Sequence, residues 1–130
     1  MKRPELQIVY RDGRVVAIRP REPEPEPLRP LARELGFKVN RMGLALGVSE
    51  RQLHRVFTES LGISPKDWMR RERMVEARQF LMEGRAVKDV AMELGFAAPK
   101  DFGREFVAIY GMTPTEFQRR MDQVREDRLG

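Results

Sequence analysis

Apolar positions follow two different periods along this chain, and the change divides it. In Leu6–Ile18 (LQIVYRDGRVVAI), two β-branched runs flank Arg-Asp-Gly-Arg. Asp-Gly between apolar runs predicts a β-hairpin, because glycine accepts positive φ without steric penalty. A lone two-stranded hairpin is marginal in water, so it must either fold onto a larger body or pair with a second copy. From about residue 30 onward the apolar residues recur at three and four, the helical period. Leu53, Val56 and Phe57 lie at i, i+3 and i+4, while Trp68, Met69, Met74, Ala77, Phe80 and Leu81 supply one long helix. Phe102, Phe106 and Ile109 predict the inward face of another. Between the two patterns lies Pro20–Pro30 (PREPEPEPLRP). Alternating Pro and Glu should hold it in polyproline II, a semi-rigid spacer of about 3.1 Å per residue.

Punctuation fixes the helical part more closely. Pro30 to Phe37 predicts a short helix with proline in its first turn and Gly36 near its end. Asn40 is a candidate cap for Arg41–Leu46, and Gly47 turns the chain. Ser49, with Gln52 three residues on, predicts a capping box for the next helix. Ser64-Pro65-Lys66-Asp67 starts the long helix, which ends near Gly84 and should span roughly 27 Å at about 1.5 Å per residue. Thr113-Pro114 starts a last helix expected to fray from Asp122 onward.

The stretch Met42–Pro65 (MGLALGVSERQLHRVFTESLGISP) then recurs in degenerate form as Val90–Pro114 (VAMELGFAAPKDFGREFVAIYGMTP). Gly47 maps to Gly95, a spacing of 48 (95 − 47), while Arg55, Phe57, Gly62 and Pro65 map to Arg104, Phe106, Gly111 and Pro114 at 49 (104 − 55). One residue has entered the second turn. Repetition at fixed spacing means one supersecondary unit used twice, and each copy reads as helix, glycine turn, helix and Gly-x-[Ser/Thr]-Pro stop, the helix-turn-helix pattern.

Composition narrows the class. With 41% hydrophobic and 35% charged residues the chain should fold beneath a heavily charged surface. A net charge of +5 and a pI near 10.1 favour a polyanionic partner, nucleic acid before an anionic membrane. There are no cysteines and one histidine, so thiol chemistry is excluded and His54 lacks partners for a metal site. No apolar run approaches the roughly 18 residues of a membrane span, and the N-terminus lacks a signal-peptide core. No nucleophile–base set or phosphate-binding glycine loop supports an enzyme.

These motifs resemble the AraC/XylS transcriptional regulators. The elements in family order are Gly62-Ile63-Ser64-Pro65, Arg73–Leu81 (RMVEARQFL), Gly95-Phe96, Phe102-Gly103-Arg104-Glu105-Phe106 and Gly111-Met112-Thr113-Pro114, across roughly Val39 to Arg120. The resemblance implies a mainly α fold: two helix-turn-helix subdomains joined by a long linker helix, preceded here by the short hairpin. It also implies DNA-binding transcription regulation, often as an activator touching RNA polymerase, in a bacterial cytoplasmic, nucleoid-associated protein of the small stand-alone type. The expected organisation is a hairpin at 1–19, a linker at 20–30, the DNA-binding domain at 31–120 and a tail at 121–130. Within the domain, the first helix-turn-helix covers about 40–59, the linker helix 65–82 and the second unit 87–110. The chain departs from the family pattern at Gly43, Pro99, Asp101, Gly103 and Gln118.

Recognition helices offer their first two turns to base edges. The candidate readers are Arg51, Gln52, His54 and Arg55 in the first unit, and Lys100 and Arg104 in the second. Arginine forks guanine O6 and N7, whereas Gln52 can equally serve as a cap. Arg55 and Arg104 have a competing reading as structural salt bridges, with Arg55 ranked the better reader. Candidate phosphate contacts are Lys38, Asn40, Arg41, Ser64, Arg85, Lys88 and Thr113, at helix starts and nearby basic positions. The linker-helix arginines, Arg70, Arg71, Arg73 and Arg78, are weaker candidates and read more simply as solvated or paired with Glu72 and Glu76. With Pro99, Asp101 and Gly103 in the second reading helix, the first unit is expected to specify sequence and the second to position the protein. Successive major-groove faces lie about 34 Å apart, so a roughly 27 Å linker requires either splayed helices or bent DNA. The expected partner is double-stranded DNA, with homodimerisation through the hairpin and RNA polymerase contact in view. No metal or cofactor is expected. The alternative is a protein-interaction or architectural DNA-binding module with little sequence preference.

Overall fold

The computed structural model describes residues 5–22 and 24–129. Residues 1–4, Pro23 and Gly130, which fall in the expected hairpin segment, linker and tail, lie outside the described residues. The fold is mainly helical with a small antiparallel sheet. The chain divides into two compact units at Arg70/Arg71, a boundary that falls inside a helix.

The first unit opens on the expected hairpin, β1 (Gln7–Arg11) and β2 (Arg14–Ile18). Asp12 and Gly13 both take positive φ, 53° and 77°, as a tight two-residue turn between right-twisted strands requires. Ile8 faces Ala17 across the pair, and both are buried. The hairpin does not stand apart from the body. Leu6, Ile8 and Ala17 share one core with Leu28, Met42, Leu53, Phe57 and Trp68, and folding onto the helices is what covers the apolar face of the hairpin.

The Pro/Glu stretch corrects the expectation of a spacer. Glu26–Pro27 form a third strand, β3, pairing antiparallel with β2 through Val16↔Pro27 and Ala17↔Glu26. Arg19 explains why this charged stretch bends back. Its guanidinium meets Glu22 at 2.8 Å and Glu26 at 2.5 Å. Pro27 is tolerated because β3 is a two-residue edge strand.

Helix α1 (Leu28–Glu34) starts two residues before the expected Pro30 and ends before Gly36, which takes φ 68°. Helix α2 (Val39–Leu46) begins after Lys38, so Asn40 sits inside its first turn and is not its cap. Helix α3 (Glu50–Leu61) carries the predicted capping box: Gln52 N–H donates to Ser49 Oγ, and Ser49 N–H donates to Gln52 Oε1. Helix α4 (Pro65–Met82) follows, with Asp67 N–H donating to Ser64 Oγ.

The second unit holds α5 (Val87–Glu93), α6 (Pro99–Tyr110) and α7 (Pro114–Leu129). Helix α7 continues through the segment expected to fray or form a tail, although its outer residues are exposed. Ile109, expected inward, is exposed. The helix turns Phe102 and Phe106 into the core and leaves Ile109 beyond its edge.

The duplication is visible atom by atom. Gly47 N–H bonds Leu44 O and Val48 N–H bonds Gly43 O; at the matching positions Gly95 N–H bonds Met92 O and Phe96 N–H bonds Ala91 O. Gly62 N–H reaches Thr58 O where Gly111 N–H reaches Val107 O. The Phe57–Trp68 pair has centroids 5.5 Å apart at 64°, and Phe106–Phe117 has 5.6 Å at 62°. Such edge-to-face geometry suits the aromatic quadrupole and fixes the angle at which the following helix leaves.

Ile8 is 1% exposed, so Ile8→Ala should lower the unfolding free energy by about 2–5 kcal/mol, as burial in a shared core demands. Chemical denaturation measures this. A change within about 0.5 kcal/mol, typical of a surface site, would place the hairpin outside the core.

Candidate nucleic-acid interface

In the first unit the second helix of the motif, α3, buries Leu53, Val56 and Phe57 and exposes Arg51, His54, Arg55 and Thr58 along one side. This division follows from the sequence, since positions 51, 54, 55 and 58 share a helical face opposite 53, 56 and 57. Arg51 and His54 make no side-chain hydrogen bond or ion pair among the described residues and are open to a ligand. Gln52 is occupied, its Oε1 held by the Ser49 amide, so the cap reading describes its geometry.

Arg55 is also engaged. Its Nη2 lies 2.8 Å from Glu5 Oε1 and its Nη1 3.5 Å from Glu5 Oε2, with Glu59 at 3.7 Å on the same helix. The hydrogen bond that Arg55 donates to the Glu5 carboxylate, and then the charge of that carboxylate, raise the Arg55 pKa above the ordinary arginine value. Arg55 is therefore both exposed and ion-paired, the combination that its two sequence readings treated as alternatives.

In the second unit, α6 buries Phe102 and Phe106 and exposes Lys100 and Arg104. At a spacing of 49 these occupy the positions of Arg51 and Arg55 (100 − 51, 104 − 55), while Gly103 takes that of His54. Neither Lys100 nor Arg104 forms an ion pair among the described residues, so the unit expected to read less well presents the less encumbered arginine. The start of α6 differs from that of α3. Ala98 stands at its N-cap with Pro99 next, and no side chain caps the helix.

The phosphate candidates separate in the same way. Lys38, Asn40 and Arg41 are exposed around the start of α2, Lys88 is exposed in the first turn of α5, and Thr113 is exposed at the start of α7. Ser64 is half-buried, and both Ser64 and Thr113 accept the amides that cap their helices, Asp67 N–H and Glu116 N–H. Arg85 is committed internally, paired with Glu93 and stacked over Phe80 at 4.2 Å.

Two structural anchors escaped the sequence reading. Arg73, grouped there with the solvated arginines, donates from Nε (2.9 Å) and Nη2 (2.6 Å) to Leu94 O and lies 3.6 Å over the Phe96 ring. It binds α4 to the turn that aims α6. Burial lowers its pKa from the ordinary arginine value, with the Glu105 charge acting the other way. Gln118, noted only as a departure from family pattern, donates from Nε2 to Leu81 O at 3.2 Å and to Arg85 O at 2.7 Å, satisfying carbonyls at the end of α4. Position alone could have flagged Arg73, which precedes the buried Met74 and lies one turn before Ala77.

Residues 43–120 match the family model of the helix-turn-helix domain. The chain belongs to this family, in its AraC-type form, a class of DNA-binding transcription regulators. Among its relatives, the virulence regulon transcriptional activator VirF of Yersinia enterocolitica is 29% identical over 82 residues, covering 62% of this chain and 30% of VirF. The chain thus spans about a third of that regulator's length. The probable transcription factor PqrA of Proteus vulgaris is 29% identical over 89 residues, 68% of this chain and 73% of PqrA. The solved structure of a DNA-binding transcriptional dual regulator from Escherichia coli K-12 superposes with a TM-score of 0.66 at 27% identity, over 74% of this chain and 89% of that one. No helix among the described residues is long and apolar enough to cross a membrane.

Replacing Gly103 by alanine adds a Cβ that meets nothing within 4 Å inside α6. It should stabilise the chain by about 0.5–1 kcal/mol, the helix-propensity difference. Ser49→Ala, which removes the α3 cap, should destabilise it by about 1 kcal/mol. Denaturant titration of both variants checks the opposite signs.

Proposed function

We propose that this chain regulates transcription by binding a specific double-stranded DNA site, with α3 and α6 each presented to a major groove. The observation that carries the reading is the repeated pair of cations on the two outward helix faces, Arg51 and Arg55 on α3, Lys100 and Arg104 on α6. Each pair sits on a helix held by the same backbone closure and the same buried aromatic contact. Side chains one turn apart at the start of such a helix reach neighbouring base edges, and arginine can fork guanine. Arg51 and His54 are the leading readers in the first unit. Arg104 and Lys100 are the readers in the second, with Arg104 standing level with Arg55. Gln52 contributes by holding α3 in place.

Phosphates are met by Lys38, Asn40 and Arg41 before and within α2, by Lys88 on α5, and by the Ser64 and Thr113 regions at the starts of α4 and α7. These contacts set register and supply most of the salt-dependent affinity. Lys38, Arg41 and Lys88 are the phosphate contacts that add charge. Arg85 enters only if it releases Glu93. The relatives' names, a transcriptional activator and a DNA-binding dual regulator, support the same reading. Contact with RNA polymerase and residence on the bacterial nucleoid are part of the same proposal, as is pairing of two copies, which would use the edge of β1 because the helices already cover the hairpin's apolar face.

Mobility shifts across a salt series, with random and in vitro selected duplexes, test it. Neutralising about six phosphates gives a log–log slope near −5. A flat slope would remove DNA binding from the reading. A steep slope with equal affinity for all sequences would leave an architectural binder. Arg51→Ala should relax preference at one base pair by about 1–3 kcal/mol of discrimination. If Lys100→Ala and Arg104→Ala relax preference more than Arg51→Ala, the second unit leads.

A further inference from the structure

We propose that Glu5 competes with DNA for Arg55, so that the residue leading into the N-terminal sheet tempers the first reading helix. The proposal rests on the reading of Arg55 as a DNA-facing residue. Glu5 meets both terminal nitrogens of the guanidinium, Nη2 at 2.8 Å and Nη1 at 3.5 Å. Those nitrogens form the end-on fork that accepts a phosphate oxygen pair or the O6/N7 edge of guanine. A carboxylate in the fork presents two acceptors where a phosphate or a guanine edge would present its own, and the two cannot occupy it together.

The approach of Glu5 is built into the fold. The next residue, Leu6, is buried, and so is Ile8, and both belong to the core that also holds Leu53 and Phe57 of α3. The backbone of Glu5 is therefore fixed relative to the helix carrying Arg55, although the two residues are 50 positions apart. A cavity of about 340 Å³, lined by Glu5, Leu6, Gln52, Arg55 and Val56 among others, lies beside the pair and leaves the carboxylate room to swing aside. The second unit supplies an internal control. Arg104 occupies the matching position on α6 and has no ion pair among the described residues.

Exposure sets the size of the effect. The side chains are 43% and 56% exposed, so water and salt screen the pair, and Glu5 weakens reading without abolishing it. Binding of the full chain to its in vitro selected duplex, followed by fluorescence anisotropy at about 0.1 M salt, tests this. Glu5→Gln should tighten binding about twofold to fivefold, the range that exposed ion pairs reach. The gain should shrink as salt rises. In an Arg55→Ala background the same substitution should change nothing. An unchanged or weaker affinity for Glu5→Gln overturns the competition, as does a gain that persists without Arg55, which would be a general effect of charge. The underlying reading fails separately: Arg55→Ala would then bind selected and random duplexes as the unaltered chain does.

Discussion

The outward faces of α3 and α6 depend on how the short helix before each is stopped. At Gly47 and Gly95 the chain turns into the left-handed region, and two successive amides bond back to carbonyls of the helix just ended. That closure satisfies donors and acceptors that would otherwise be orphaned and fixes the direction in which the next helix starts. A residue with a Cβ would be strained there, so the direction of α3 or α6 is a property of one glycine and two hydrogen bonds. The edge-to-face ring pairs then hold the far ends of α3 and α6 against the helices that follow. Between turn and ring pair, about three helical turns are held with their polar side outward.

The two copies keep this frame and differ in what surrounds it. Ser49 and Gln52 cap α3 reciprocally, whereas α6 begins at Ala98-Pro99 without a side-chain cap. Gly43 also belongs to the frame. A Cβ at this position would lie 3.0 Å from Val48 O, so the glycine that lowers helix propensity in α2 admits the close approach of its own turn. Its counterpart in the second unit is Ala91. In the second unit Arg73 supplies what no backbone bond provides, gripping Leu94 O from α4 while covering Phe96.

The N-terminal sheet changes what the first unit is. Its apolar face completes a core that α1, α2 and α3 leave open, which is why Leu6, Ile8 and Ala17 are buried beside Leu53 and Phe57. A hairpin alone cannot bury enough surface to persist, and this one is stabilised by joining the helices. The same attachment brings an acidic side chain, Glu5, to the exposed face of α3. The residues that anchor the sheet, Leu6 and Ile8, thus stand beside the residue that meets Arg55.

The sequence by itself determined the repeat, the helix periods, the hairpin turn at Asp12-Gly13, the capping box at Ser49 and the split of α3 into buried and exposed sides. All of these rest on interactions within a few residues, which local spacing encodes. It misplaced what depends on distant partners. The Pro20–Pro30 stretch reads as a spacer because its prolines disfavour helix and sheet, yet Arg19 and the edge of β2 draw Glu26 and Pro27 into a strand, and Leu28 to Pro30 open α1. Asn40 has the chemistry of a cap, but α2 begins one residue earlier and makes it a first-turn residue. Ile109 fits a helical stripe that outruns the surface available to cover it. Arg55 is the sharpest case. Its place on the outer face of α3 follows from period alone, whereas its partner is 50 residues away, and only the packing of the sheet against α3 brings the two charges together.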